Sequence, residues 1–231
     1  MDYLYLILVL PAVIFSLIAS AKVKSTYNKY SQIRSKRNLT GADAARAVLN
    51  ANGIYDVRVE HISGELTDNY DPKNKVIHLS DSTYNNYSVA ALGVAAHEAG
   101  HAVQHNVNYL PIRIRSAIIP ITQIGSKLAI PLILIGVILS GFGQIFITLA
   151  YVGIVLFATT TVFQLVTLPT EFNASNRALK ALKDNNLLYS DEIPSAKKVL
   201  SAAAMTYVAA LAVSVTQLLR LLLMVSGSRR R

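Results

Sequence analysis

The chain alternates long apolar blocks with polar stretches, and the blocks have the length of membrane spans. Residues 3 to 21 form a first apolar run with no charge after Asp2, and residues 117 to 168 form a second. About 20 apolar residues cross a bilayer, so the second run is long enough to do so twice. Ser140-Gly141-Phe142-Gly143-Gln144 supplies the turn that divides it. Residues 199 to 219 make a fourth, alanine-rich stretch ending at Arg220, and the pattern predicts four spans. The first run reads as an uncleaved anchor: Ala19-Ser20-Ala21 resembles a cleavage site, but Met1-Asp2 lacks the basic residue of a signal peptide.

Between the first two blocks the periodicity changes. Thr40 to Asn52 reads as a capped helix ended by Gly53. Val57-Arg58-Val59-Glu60 and Lys75-Val76-Ile77-His78-Leu79 read as short strands, with Asn69-Tyr70-Asp71-Pro72 as the turn before the second. Tyr87 to Gln104 combines good helix formers with no proline, and Ser88 is placed to cap it. The expected fold is mainly α and membrane-bound, with about four transmembrane helices and a small α+β domain built on this last helix. The expected segments are an anchor helix (1–21), a polar module (22–116), a transmembrane hairpin (117–168), a helix and loop (169–198), and a C-terminal membrane helix with a basic tail (199–231).

Composition agrees, at 52% hydrophobic and 15% charged residues. The net charge of +9 does not point to nucleic acid, because the basic residues flank the spans. Twelve Lys and Arg fall in residues 22–116, five in 169–198 and none in 140–144, which places the first two segments on the cytoplasmic side. Lys22, Lys24, Lys29, Arg34, Lys36 and Arg37 form a juxtamembrane cluster suited to anionic headgroups. Four spans then put both chain ends outside, against the preference of Arg229-Arg230-Arg231. Either the last stretch is re-entrant or surface-lying, or three charges are outvoted by 17. With no cysteine, disulfides and Cys-type zinc sites are excluded.

The candidate chemistry lies at residues 97–101, which read HEAGH. On a helix, i and i+4 side chains share a face, so His97 and His101 can reach one metal ion with Glu98 beside it as a general base. With five His and five Glu in 231 residues, chance produces this pattern in about 0.2% of such chains. Gly100 and the alanines around it imply that another element packs closely there.

A catalytic zinc takes three protein ligands and leaves one position open. His105 continues the spacing, but eight helical residues span about 12 Å, too far for His97 and His105 to share an ion. His61 and His78 fall in the expected strands and read as structural. Glu171 follows Leu168-Pro169-Thr170 at the exit of the third span and begins EFNASNRALKAL, whose Ala174, Ser175 and Ala178 present a small-residue face. That face would let its helix lie against the equally small HEAGH helix, making Glu171 the expected third ligand. Arg177, Tyr84 and His105 are each suited to stabilising an oxyanion, and the sequence does not choose among them.

HEAGHAVQH followed by EFNASNRAL at a span exit resembles gluzincins with HExxH and a distal Glu. Together with GELTDNYDPKNKVIHLSDSTY, the chain looks most like bacterial membrane zinc metallopeptidases of the YugP type, over nearly its whole length. The resemblance implies a gluzincin-like module on the cytoplasmic side of a bacterial cell membrane. It also implies one zinc ion per chain on His97, His101 and Glu171, catalysis by Glu98, and a peptide or membrane-protein substrate. Ser175 stands where more distant relatives carry an Asp that supports a zinc-binding histidine. The competing reading is a non-catalytic zinc-binding scaffold, which would need a fourth protein ligand to close the site.

Overall fold

The structure is a computed structural model and describes residues 3–228. The basic tail expected at Arg229-Arg230-Arg231 lies outside the described residues. Among the described residues, four helices are long and apolar enough to cross a membrane: Tyr5–Ser31, Leu110–Ile138, Gln144–Asp184 and Ile193–Gly227. The first is π-helical over Tyr5–Val9 and α-helical over Leu10–Ser31 (α1). The others are α4 (Leu110–Ile138), α5 (Gln144–Asp184) and α6 (Ile193–Ser228). The turn expected at 140–144 is a single 3-10 turn, Ser140–Phe142, followed by Gly143 at φ 150°.

The chain divides into two compact units. One comprises Met1–Ile18, Arg113–Leu168 and Tyr207–Arg231, and its core gathers Ile133, Ala150, Ile154, Leu221 and Val225. The other comprises Ala19–Ile112 and Pro169–Thr206 and holds the HEAGH segment together with Glu171.

In this second unit, α2 (Gly41–Ala51) starts at a full capping box. The Thr40 hydroxyl accepts from the Asp43 backbone at 3.0 Å, and the Asp43 carboxylate accepts from the Thr40 backbone at 2.8 Å. Its Ala44, Ala45, Val48 and Leu49 are buried, as are Leu92, Ala95, Ala96 and Ala99 of α3 (Val89–Asn106), and all join one core with Ile77 and Leu79. Full burial of a leucine or isoleucine contributes about 1.5–3 kcal/mol. α3 begins at Ser88, whose hydroxyl accepts from the Ala91 backbone at 3.1 Å, as its sequence suggests.

Three strands form one sheet in the order β1-β3-β2. β1 (Arg58–Ile62) runs parallel to the buried central strand β3 (Val76–Ser80), and β2 (Asn69–Asp71) runs antiparallel to it. Asn69, Tyr70 and Asp71 therefore belong to a strand rather than to the expected turn. The reason is local: the Asp71 carboxylate accepts from the backbones of Lys73 and Asn74 at 2.8 and 3.2 Å, which places the reversal at residues 72–75. Tyr70 is left free to pair with Ile77.

A second difference concerns Glu171. Its segment does not begin a new helix, because α5 runs unbroken from Gln144 to Asp184 with Pro169 inside it. Proline removes one helical N–H, and helices of membrane type tolerate that loss when the rest of their hydrogen-bond ladder holds. Glu171 consequently sits in a helix interior, one turn from Ser175 and on the same face.

Candidate metal centre

His97 and His101 project from one face of α3, and Glu171 and Ser175 from the facing side of α5. What permits the approach is the absence of side-chain bulk at the crossing. A Cβ at Gly100 would lie 2.8 Å from the carbonyl oxygen of Ala174, closer than real Cβ contacts come. Ala99, Ala174 and Ala178 are fully buried around it.

The result is a convergence of three donors. One Glu171 oxygen, Oε2, lies 3.3 Å from His97 Nε2 and 3.4 Å from His101 Nε2. Ligand atoms of all three residues fall within 4.8 Å of one another. These separations exceed the 2.7–2.9 Å expected of a charge-assisted hydrogen bond. They match the spacing of about 3.3–3.4 Å between neighbouring ligands of a tetrahedral ion with bonds of about 2.0–2.1 Å. Two imidazoles and a carboxylate are also the donor set suited to zinc.

The outer nitrogens of both imidazoles are engaged. His97 Nδ1 lies 3.1 Å from the Ser175 hydroxyl, and His101 Nδ1 lies 3.0 Å from Gln104 Oε1. Gln104 is fully buried, and its amide nitrogen donates to the Thr170 carbonyl at 2.7 Å and to Asn173 Oδ1 at 3.0 Å. Both partners are acceptors, so the orientation of the Gln104 amide is fixed and its oxygen faces His101. His101 must then carry a proton on Nδ1, which aims Nε2 at the shared centre. Asn173 Oδ1 accepts a further bond from Arg177 Nε at 2.8 Å, completing a chain from Arg177 through Asn173 and Gln104 to His101.

Glu98 is buried beside the pair, and burial pushes its carboxyl above the usual carboxylate range against the pull of His97 and His101. Burial alone would lower the His101 imidazole, but the carboxylates of Glu171 and Glu98 outweigh it and hold the group above its ordinary value.

The remaining histidines stand apart from this centre. His61 pairs with Asp81 at 2.6 Å and packs its ring against Tyr84, and His78 contacts Asn69 at 3.2 Å. His105 stacks edge-on against Tyr70, with ring centroids 5.6 Å apart. Gln104 and Asn173 escape a sequence reading directed at titratable groups. A signal for Gln104 was present in the spacing, since it lies three residues beyond His101 on the same helix.

Two short facing helix segments that bring paired imidazoles to one carboxylate define a candidate metal centre of hydrolase type. Comparison with known proteins gives the family. The model of the family described as "Putative neutral zinc metallopeptidase" matches residues 5–226, and the chain belongs to that family. It is 42% identical over 226 residues to the "Putative membrane protease YugP" of Bacillus subtilis (strain 168), covering 98% of both chains. No solved structure matches the chain.

Proposed function

We propose that the protein is a membrane-embedded zinc endopeptidase with one ion per chain, held by His97, His101 and Glu171. The observation that carries this reading is the pair of Nε2 to Oε2 separations, 3.3 and 3.4 Å, which suit a shared tetrahedral ion better than a hydrogen bond. Zinc held by these three residues would supply Lewis-acid chemistry, bringing the pKa of a water there toward about 7 and polarising a scissile carbonyl.

Glu98 takes the proton from the attacking water and delivers it to the leaving amine. Burial raises its proton affinity, which suits it to accepting that proton and passing it on. Ser175 and Gln104 hold the two imidazoles in orientation from behind. The Arg177 guanidinium donates to Asn173 through Nε, which supports a place for it in this supporting chain. Among the described residues the donor group has three members, which supports an open fourth position over a closed scaffold site. The distribution of Lys and Arg favours a cytoplasmic-facing centre in a bacterial cell membrane, acting on peptides or membrane proteins.

Purified full-length protein tests the reading through Glu98→Gln and Glu171→Ala. Glu98→Gln is expected to retain zinc and lose about 10²–10⁴-fold in peptide cleavage, whereas Glu171→Ala is expected to lose zinc while remaining helical. Cleavage by Glu98→Gln at the parental rate would remove Glu98 from the reaction.

A further inference from the structure

A second feature of the Ala19–Ile112 and Pro169–Thr206 unit stands apart from the metal centre. It is a cleft of about 800 Å³ between α1 and the start of α6. From α1 it is lined by Lys22, Ser25, Thr26, Lys29 and Tyr30, spaced i, i+3, i+4, i+7 and i+8, so that one helix face makes one wall. From α6 it is lined by Pro194, Lys197, Lys198, Ser201, Ala202 and Met205, which follow the same periodicity.

Four lysines therefore line one cavity, and among the described residues no acidic side chain lines it. The Lys29 and Lys198 ammoniums even share one aromatic neighbour, lying 5.7 and 5.9 Å from the centroid of the Tyr30 ring. The acids nearest in sequence are committed elsewhere: Asp191 pairs with Lys36, and Glu192 accepts from the backbones of Lys36 and Tyr189. Like charges gathered without a counterion repel one another, and an anion in the cleft would relieve that repulsion.

The rest of the lining narrows the anion. Tyr30, Ala202 and Met205 give the cleft an apolar side, and lysine stems add methylene surface along it. Both wall-forming helices are long and apolar enough to cross a membrane. The lysines stand where each helix passes from apolar to polar sequence, at Lys22 in α1 and at Lys197 and Lys198 in α6. A phosphate charge joined to a hydrocarbon chain satisfies both halves of this surface, and a free anion satisfies one.

We infer that this cleft is a binding site for the headgroup and upper acyl chain of one anionic phospholipid, held by Lys22, Lys29, Lys197 and Lys198. The site is independent of the peptidase reading. It also differs from general attraction to a negative surface, because Lys197 and Lys198 join the α1 lysines in it while the neighbouring Lys24 does not line it.

Native mass spectrometry of the full-length protein in neutral detergent tests it, with added phosphatidylglycerol or with phosphatidylcholine of the same acyl chains. The parent is expected to retain one phosphatidylglycerol and no phosphatidylcholine. Lys197→Gln with Lys198→Gln is expected to weaken retention about 25-fold, from about fivefold per ammonium. Lys197→Arg with Lys198→Arg keeps the charge and retains the lipid. Lys24→Gln with Lys183→Gln removes equal charge outside the cleft and leaves retention unchanged. Equal loss in the Lys24 and Lys183 pair, equal retention of phosphatidylcholine, or displacement of the lipid by inorganic phosphate would each overturn the assignment.

Discussion

Gly100 on α3 and Ala174 on α5 lie so close that a single added carbon at Gly100 would meet the Ala174 carbonyl oxygen at 2.8 Å. This contact sets how near the Glu171 carboxylate stands to the two imidazoles. Gly100→Ala gains up to about 1 kcal/mol of helix propensity but incurs about 1–3 kcal/mol of overpacking against a backbone atom that cannot rotate away. The variant is therefore expected to be less thermostable and to lose zinc. Gly93→Ala on the same helix is the control, because its nearest foreign atom would be Ala196 Cβ at 3.6 Å, an ordinary contact. It is expected to keep its zinc and to unfold at a temperature no lower than the parent, and a differential scan with elemental analysis checks both.

Gln104 fixes the proton on His101 Nδ1 through bonds to two acceptors. Gln104→Leu removes the acceptor for that proton and leaves the Thr170 carbonyl without its amide donor. Loss of an outer partner of this kind weakens metal binding about 10–100-fold, so zinc is expected to pass to a competing chelator at correspondingly lower chelator concentration. Ser175→Ala acts on the other imidazole in the same way. A Gln104→Leu protein with parental zinc affinity would show that the amide has no part in orienting His101.

The buried Glu98 gives a dependence on pH that can be measured without substrate. Its proton affinity is raised in the folded state, so its contribution to stability is fully present below the ordinary carboxylate range and is lost as pH rises through the folded value. In chelator-treated protein, Glu98→Gln is expected to be more stable than the parent at neutral pH, with the difference vanishing toward acid pH. Thermal unfolding across that range checks the sign. A variant less stable at neutral pH would contradict desolvation as the cause.

The parts of this arrangement that depend on one helix were readable from residue order alone. The i, i+4 histidines, the Ser88 cap and the capped helix beginning at Thr40 involve neighbours within a turn, and all three recur in the structure. Glu171 was reachable one step further, because small residues on two helices implied that those helices meet. Pairings set by distant segments were not readable. By its neighbours Tyr70 reads as a turn residue, because its strand exists only by pairing with Ile77. The helix of Glu171 was expected to start there because Pro169 breaks most soluble helices, and α5 continues through it. The Gln104–Asn173 link joins residues 69 positions apart, and the four-lysine cleft joins α1 to α6. In both cases one segment alone does not name its partner, because the meeting is made only in the fold.

Anomalous scattering at the zinc edge from crystals of the intact protein addresses the central claim most directly. The expected result is one ion per chain, with His97 Nε2, His101 Nε2 and a Glu171 oxygen at about 2.0–2.1 Å, and no fourth protein ligand. An ion bound elsewhere, a Glu171 carboxylate turned away from the imidazoles, or a fourth side chain closing the coordination would contradict it.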